Sequence, residues 1–294
     1  MRVAVVGATG TIGRPLVEAL AAAGHHVTAI SRSGSPVPGS GTVTAADATD
    51  AAAMHDALAG AEVVYHLVHS LGQPYFEATD RAAAHAVADG AAAGGASQVV
   101  FLGGLGEEGA DLSPHLRSRA ETAAILVDGP VPVTTLRAAM IVGADSAAFE
   151  TTLALVDRLP VMICPRWVSV ETQPVALVDV IAALVVVCGR AQSFGVTYDV
   201  GGPEVMSYRA MMERTARIRG RRPVLIEVPV LTPWLSSLWL HLITPVNAAV
   251  TRPLIEGLKA PTLAHDDSIW ELVPGKRTGF DDAVHAALAA TASA

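Results

Sequence analysis

The 294-residue chain is long enough for one large α/β domain, alone or with a small appendage. Apolar residues make up 51% and charged residues 16%, so a sizeable core is available; a net charge of −8 with no basic block argues against nucleic acid as a partner. The two cysteines, Cys164 and Cys188, and a Met1-Arg2 start that leads straight into a strand predict a reducing, cytoplasmic setting, and no apolar run is long enough for a membrane span.

The apolar run Val3-Ala4-Val5-Val6 has strand character and is followed by Gly7-Ala8-Thr9-Gly10-Thr11-Ile12-Gly13. Arg14 then opens a stretch with the apolar spacing of a helix, ending at Gly24. A glycine loop between a first strand and a first helix is how a βαβ fold holds a pyrophosphate: it allows a tight turn, close backbone approach, and helix-to-sheet packing. The phosphate charge meets the free N–H groups of the helix N-terminus.

Residues 25–30 read as the second strand, whose end borders the adenosine ribose in such a fold. An acid there would bind the 2′-hydroxyl of NAD. The chain has Ser31-Arg32-Ser33 instead, whose guanidinium and hydroxyls suit a 2′-phosphate, so NADP(H) is the expected cofactor. The competing reading of Arg32 is a solvated surface residue.

A Gly/Ser/Pro loop at 33–40 leads to a short third strand at 42–45, and Asp50 is placed to cap a helix ending at Leu58. A fourth strand at 62–67 precedes Val68-His69-Ser70, and an Ala-rich helix at 76–93 carries the crossover to a strand at 98–102. A helix beginning near Pro114 leads to a strand at 132–136. This alternation predicts a doubly wound parallel sheet, a Rossmann fold, with no internal repeat.

From about Ser146 the pattern loosens, with helices expected at 145–159, 175–188 and 207–219, strands at 196–200 and 223–228, and a terminal helix at 280–290. Residues 231–245 are apolar nearly all round, which fits a buried core or subunit contact, or a greasy cover over a substrate. The division predicted is a dinucleotide-binding core at 1–145 and a mixed substrate-binding region, interleaved with late Rossmann elements, at 146–294. No histidine or cysteine spacing suggests a metal site.

Together these pieces resemble the short-chain dehydrogenase/reductase superfamily, in its extended or atypical, NmrA-like branch. The residues that carry the resemblance are the glycine loop, Asp47 after the third strand, residues 65–70 at the fourth, and 136–143 after the sixth. Val178-Asp179-Val180 and residues 198–203 complete it. The resemblance implies a cofactor at the strand C-termini. Gly7, Thr9, Gly10, Thr11, Ile12 and Gly13 would hold the pyrophosphate, and Ser31, Arg32 and Ser33 the adenosine ribose. Asp47 and Ala48 would lie near the adenine; Leu67, Val68, His69, Gly103 and Ala139 would run along the rest. The C-terminal third would cover a substrate cleft.

Most catalytic members carry Tyr-x-x-x-Lys on the helix after the fifth strand and a Ser at that strand's end. Here His115 falls at the Tyr position, Arg119 at the Lys position, and Gly103 or Gly104 at the Ser position. His115 is a candidate acid, although Arg119 on the same helical face would lower its pKa, and both read equally well as surface residues. Ser70, at a strand end where such folds bind ligands, is a candidate donor to a carbonyl oxygen; His69 would touch the ribose. The expected function is NADPH-dependent reduction of a carbonyl on a bulky, largely apolar, aromatic small molecule. The alternative is a cofactor-binding regulator or assembly protein without catalysis. A homo-oligomer stays open.

Overall fold

The computed structural model describes residues 1–106, 112–228 and 260–293. The segment 231–245, read from the sequence as core, contact or cover, lies outside the described residues.

The first half alternates as its hydrophobic pattern requires: β1 (Arg2–Val6), α1 (Gly13–Ala22), β2 (His26–Ser31), β3 (Thr42–Ala45), α2 (Ala51–Ala57), β4 (Val63–His66), α3 (Phe76–Ala93), β5 (Gln98–Gly104), α4 (Pro114–Val127) and β6 (Val133–Ala138). Asp50 caps α2 by accepting from the N–H groups of Ala52 and Ala53, and Ser113 caps α4 through Leu116 N–H. Then follow β7 (Ile141–Val142), α5 (Ala147–Arg158), β8 (Val161–Pro165), β9 (Glu171–Thr172), β10 (Val175–Ala176), α6 (Leu177–Val186) and β11 (Thr197–Val200). The last elements are β12 (Met206–Ser207), α7 (Tyr208–Ile218), β13 (Val224–Val228), α8 (Ile269–Leu272) and α9 (Phe280–Ser293).

Seven strands form one parallel sheet in the order β11-β6-β5-β4-β1-β2-β3. The chain winds outward from β1 through β2 to β3, then returns to lay β4 on the other side of β1. That reversal leaves a crevice at the C-terminal ends of β1 and β4, where an open α/β sheet takes its ligands.

Both faces of the sheet are buried around β1. Val3 and Val5 face a core shared with Leu16 and Leu20 of α1 and Val180 and Leu184 of α6; Ala4 and Val6 face one shared with Met54, Ala83, Val87 and Leu126. The alanines of α3 let it come close to its neighbours: a Cβ at Gly90 would stand 3.0 Å from the Met54 carbonyl oxygen. A third core joins Phe149, Met162, Val168, Met211, Phe280 and Val284 among α5, α7 and α9.

Two late elements depart from the sequence pattern. Residues 175–188 were expected as one helix, but Val175 and Ala176 pair with β7 and the helix begins at Leu177. β-branched valine satisfies a strand as well as a helix, and the pairing partner decides it. The strand β8 had no clear signal; it pairs in parallel with β13.

Carboxylate and amide side chains tie residues after 260 back to the sheet. Asp179 accepts from Thr278 N–H at 2.7 Å and from its hydroxyl at 2.9 Å, and Asp199 accepts from His265 N–H at 2.9 Å and from Arg137. Gln173 accepts from Ala264 N–H and donates to the Gly202 carbonyl.

Candidate functional site

The glycine loop closes the C-terminal end of β1. Gly7 has φ +93°, and its N–H and that of Ala8 both donate to the Ile30 carbonyl. A Cβ at Gly13 would lie 2.3 Å from the Gly7 carbonyl oxygen, so only glycine lets α1 start this close to the turn. A Cβ at Gly10 would meet nothing nearer than 3.4 Å, so its outer side is open. Ile12 precedes α1 and no side chain caps the helix. A positive helix end without a side-chain cap, above a loop stripped of side chains, suits a diphosphate. Thr11 Oγ1 donates to the Asp145 carbonyl and Arg14 Nε to the Thr9 carbonyl, which fixes the loop on both sides.

Beside this loop lie the ends of β2 and β3. Ser31 is buried and its hydroxyl has no partner, whereas Arg32 and Ser33 are exposed. Asp47 follows β3; its carboxylate accepts from Thr49 N–H and hydroxyl, which holds its pKa below the usual value, with a smaller contribution from Arg32. Ala48 is buried against the sheet. Leu67 N–H continues the ladder onto the Val6 carbonyl, and the Leu67 backbone passes 3.1 Å from where a Gly7 Cβ would be. Gly103 and Ala139 lie at the ends of β5 and β6. The residues expected to meet the cofactor thus lie along one sheet edge.

Next along that edge stands a polar cluster between β4, α3 and α4. Asp80 of α3, 1% exposed, accepts from three donors: His69 Nδ1 at 2.9 Å, Ser70 N–H at 2.9 Å and the Ser118 hydroxyl at 3.0 Å. These bonds hold Asp80 ionised despite burial. His115, on the first turn of α4, places its ring 5.0 Å from that of His69. Its pKa is lowered to about 3, by burial first and then by His69 and Arg119, so it is neutral at pH 7. Burial also lowers that of His69, opposed by the hydrogen bond to Asp80.

Arg119 is buried in the sheet edge. Its guanidinium donates to the Val68 carbonyl at 3.1 Å and to the Leu102 carbonyl, bridging the ends of β4 and β5, and lies over the Phe101 ring. Burial brings its pKa to about 10, which leaves it charged. At the expected serine position, a Cβ on Gly104 would stand 3.1 Å from Leu116 Cδ2.

Asp80 escaped the sequence reading. It shares a helical face with Ala83, Ala84 and Val87, so a carboxylate at i before buried residues at i+3, i+4 and i+7 was the available signal. Among the described residues no group of His, Cys, Asp and Glu is arranged to hold a metal ion, and no helix is long and apolar enough to cross a membrane.

Residues 7–147 match the family described as NAD(P)H-binding. They are an NAD(P)H-binding domain. Solved structures similar to the whole chain carry the same fold. A nucleoside-diphosphate-sugar epimerase from Staphylococcus aureus has a TM-score of 0.75 at 14% identity, covering 97% of this chain and 99% of that one. MoeE5 in complex with UDP-glucuronic acid and NAD has a TM-score of 0.74 at 19% identity, covering 100% and 99%. By sequence, the NAD(P)H-binding chain is 49% identical over 73 residues to a Streptomyces 3-diazoavenalumate denitrifying reductase, a match spanning 24% of each protein. It is also 25% identical over 306 residues to the Arabidopsis thaliana mitochondrial NADH dehydrogenase [ubiquinone] 1 alpha subcomplex subunit 9, covering 94% of this chain and 75% of that one.

Proposed function

We propose that the protein is an NADPH-dependent reductase acting on a carbonyl of a bulky, largely apolar, aromatic small molecule. The observation that carries the reading is the continuity of one sheet edge. The glycine cradle and helix N-terminus at β1 run directly into buried hydrogen-bonding groups at the ends of β4 and β5. When bound, the nicotinamide supplies a hydride. Gly7, Thr9, Gly10, Thr11, Ile12 and Gly13 would hold the diphosphate, and Ser31, Arg32 and Ser33 the 2′-phosphate. Asp47, Ala48, Leu67, Val68, His69, Gly103 and Ala139 would border the remainder.

Charge that builds on the substrate oxygen needs donors. Ser70, with water, or a hydroxyl on the substrate beside its carbonyl, ranks ahead of His115 acting alone, since that imidazole is neutral at pH 7. Arg119 acts by fixing the positions of Val68 and Leu102, not by reaching into the cleft. The neighbouring reductase in Streptomyces supports a reductive activity, and a cytoplasmic setting fits a soluble nicotinamide pool.

A second reading, a cofactor-binding regulator or assembly protein, is favoured by the missing Tyr-x-x-x-Lys pair and by the relative named as an NADH dehydrogenase subunit. The deciding experiment follows NADPH oxidation across aromatic and aliphatic ketones, with a diazo compound included because of the Streptomyces relative. Turnover of any of these with cofactor consumed in equal amount supports the reductase. Tight NADPH binding with no turnover on the whole panel moves the conclusion to the second reading.

A further inference from the structure

Resting on the reductase reading, we propose that Asp80, His69 and His115 form a proton relay whose outer nitrogen, on His115, serves the reacting oxygen of the substrate. His69 and Asp80 are then positioning and storage groups, and His115 is the residue that meets substrate.

The hydrogen bonds give the relay its direction. An ionised Asp80 only accepts, so the proton between it and His69 sits on His69 Nδ1. The opposite nitrogen, Nε2, is consequently an acceptor in the neutral ring. It is shielded from solvent and has no partner, so no substrate reaches it directly. The neighbouring ring is His115, whose centroid at 5.0 Å lets nitrogens turned toward each other come within hydrogen-bonding reach. His115 is part-exposed on the first turn of α4. Turned with one nitrogen toward His69 and the other toward the cleft, the His115 ring would connect the buried carboxylate to the sheet edge in three links.

The charged and titratable groups facing these imidazoles are Asp80 from α3, Arg119 from α4 and His66 from the end of β4, with Phe76 edge-on to His69. Arg119 opposes a second positive charge and Asp80 favours it. Of the two rings, only His69 has the carboxylate as a hydrogen-bond partner, so the imidazolium is stored there and His115 passes protons without keeping one.

The relay moves protons only. An O–H bond forms on the substrate oxygen as the outer N–H bond of His115 breaks. The inner His115 nitrogen takes the proton that His69 Nε2 gives up, and His69 returns to the neutral ring bonded to Asp80. The electron pair that reduces the substrate carbon is the hydride of the dihydronicotinamide. Oxidation of an alcohol runs the same steps backward. Because reduction needs the imidazolium, it slows as pH rises through the His69 pKa, which burial sets below the ordinary imidazole value.

The test combines imidazole nitrogen NMR on the ligand-free full chain with pH profiles of carbonyl reduction. The expected spectrum has the His69 proton on Nδ1, and His69 and His115 titrating as a coupled pair. Asp80→Asn should lower kcat about 100-fold with KM and NADPH affinity little changed, and remove the pH limb; Asp80→Glu should recover part of both. If Asp80→Asn does not fold, His69→Gln read for the same loss of the pH limb replaces it. A ligand-free spectrum with the His69 proton on Nε2, independent titration of the two rings, or an unchanged pH profile in these variants overturns the relay. If no carbonyl compound is reduced, the reductase reading falls, while the spectrum still decides the wiring of the three side chains.

Discussion

Acid should weaken this fold through buried imidazoles, and the share carried by His66 can be isolated by one substitution. His66 is fully buried at the end of β4, stacked on Phe101 with centroids 5.9 Å apart, and neither ring nitrogen has a partner. Burial, then Arg119, pushes its pKa down to about 3, against 6.5 for an unperturbed histidine. Between those values the unfolded chain binds a proton that the folded one refuses. Stability is therefore complete above pH 6.5 and declines as pH falls. At about 1.4 kcal/mol per pH unit, acidification from 6.5 to 5 removes about 2 kcal/mol through His66. That is a large share of a typical total of about 5–15 kcal/mol. His115 is shifted in the same direction and adds to the loss over the same window. His66→Leu removes the titrating group and its two orphaned nitrogens. Urea unfolding of both proteins at pH 7, 6 and 5 should show the variant losing about 2 kcal/mol less than the parent between the two ends. Equal losses would refute the idea that a buried, neutral His66 sets the acid sensitivity.

Arg32→Ala should cost about 1–3 kcal/mol of NADPH affinity and leave NADH nearly unchanged in titration calorimetry; equal affinity of the unmodified protein for both would count against the 2′-phosphate assignment. Gly13→Ala forces a Cβ against the Gly7 carbonyl and should cost about 1–3 kcal/mol of stability together with cofactor binding, read by thermal unfolding and NADPH titration. Unchanged values in both would show the loop has room. Asp179→Ala deletes two bonds to Thr278 and should cost about 1–3 kcal/mol, with amide exchange around residues 264–278 speeding up. Slow exchange there in the variant would show that other contacts hold the segment.

The sheet was legible because its evidence is local. The continuous apolar run of β1, the glycine turn at 7–13, the Asp50 cap and the alanines of α3 each declare themselves within a few residues. The later strands carry no such signature: β8 and β10 are short, and only their partners make them strands. The candidate site divides in the same way. The glycines are readable from order in the chain, since each serves the turn it belongs to. Asp80 and Arg119 are not, because what they do depends on β4 and β5 meeting α3 and α4. The Tyr-x-x-x-Lys frame directs Arg119 toward a ligand, whereas its neighbours direct it to two carbonyl oxygens of the sheet edge.

The ties from Asp179 and Asp199 to backbone N–H groups at 278 and 265 reach across 99 and 66 residues, and Ile269 is buried in the same core as Val3 and Val5. During synthesis, then, the first strand leaves the ribosome long before the residues that finish its surroundings exist. Until Ile269 arrives, the α1 and α6 face of the sheet stays partly open and two carboxylates lack the N–H groups they bond in the finished fold. The nascent protein is at its most adhesive when nearly all of the sheet has formed and these last turns have not yet closed over it.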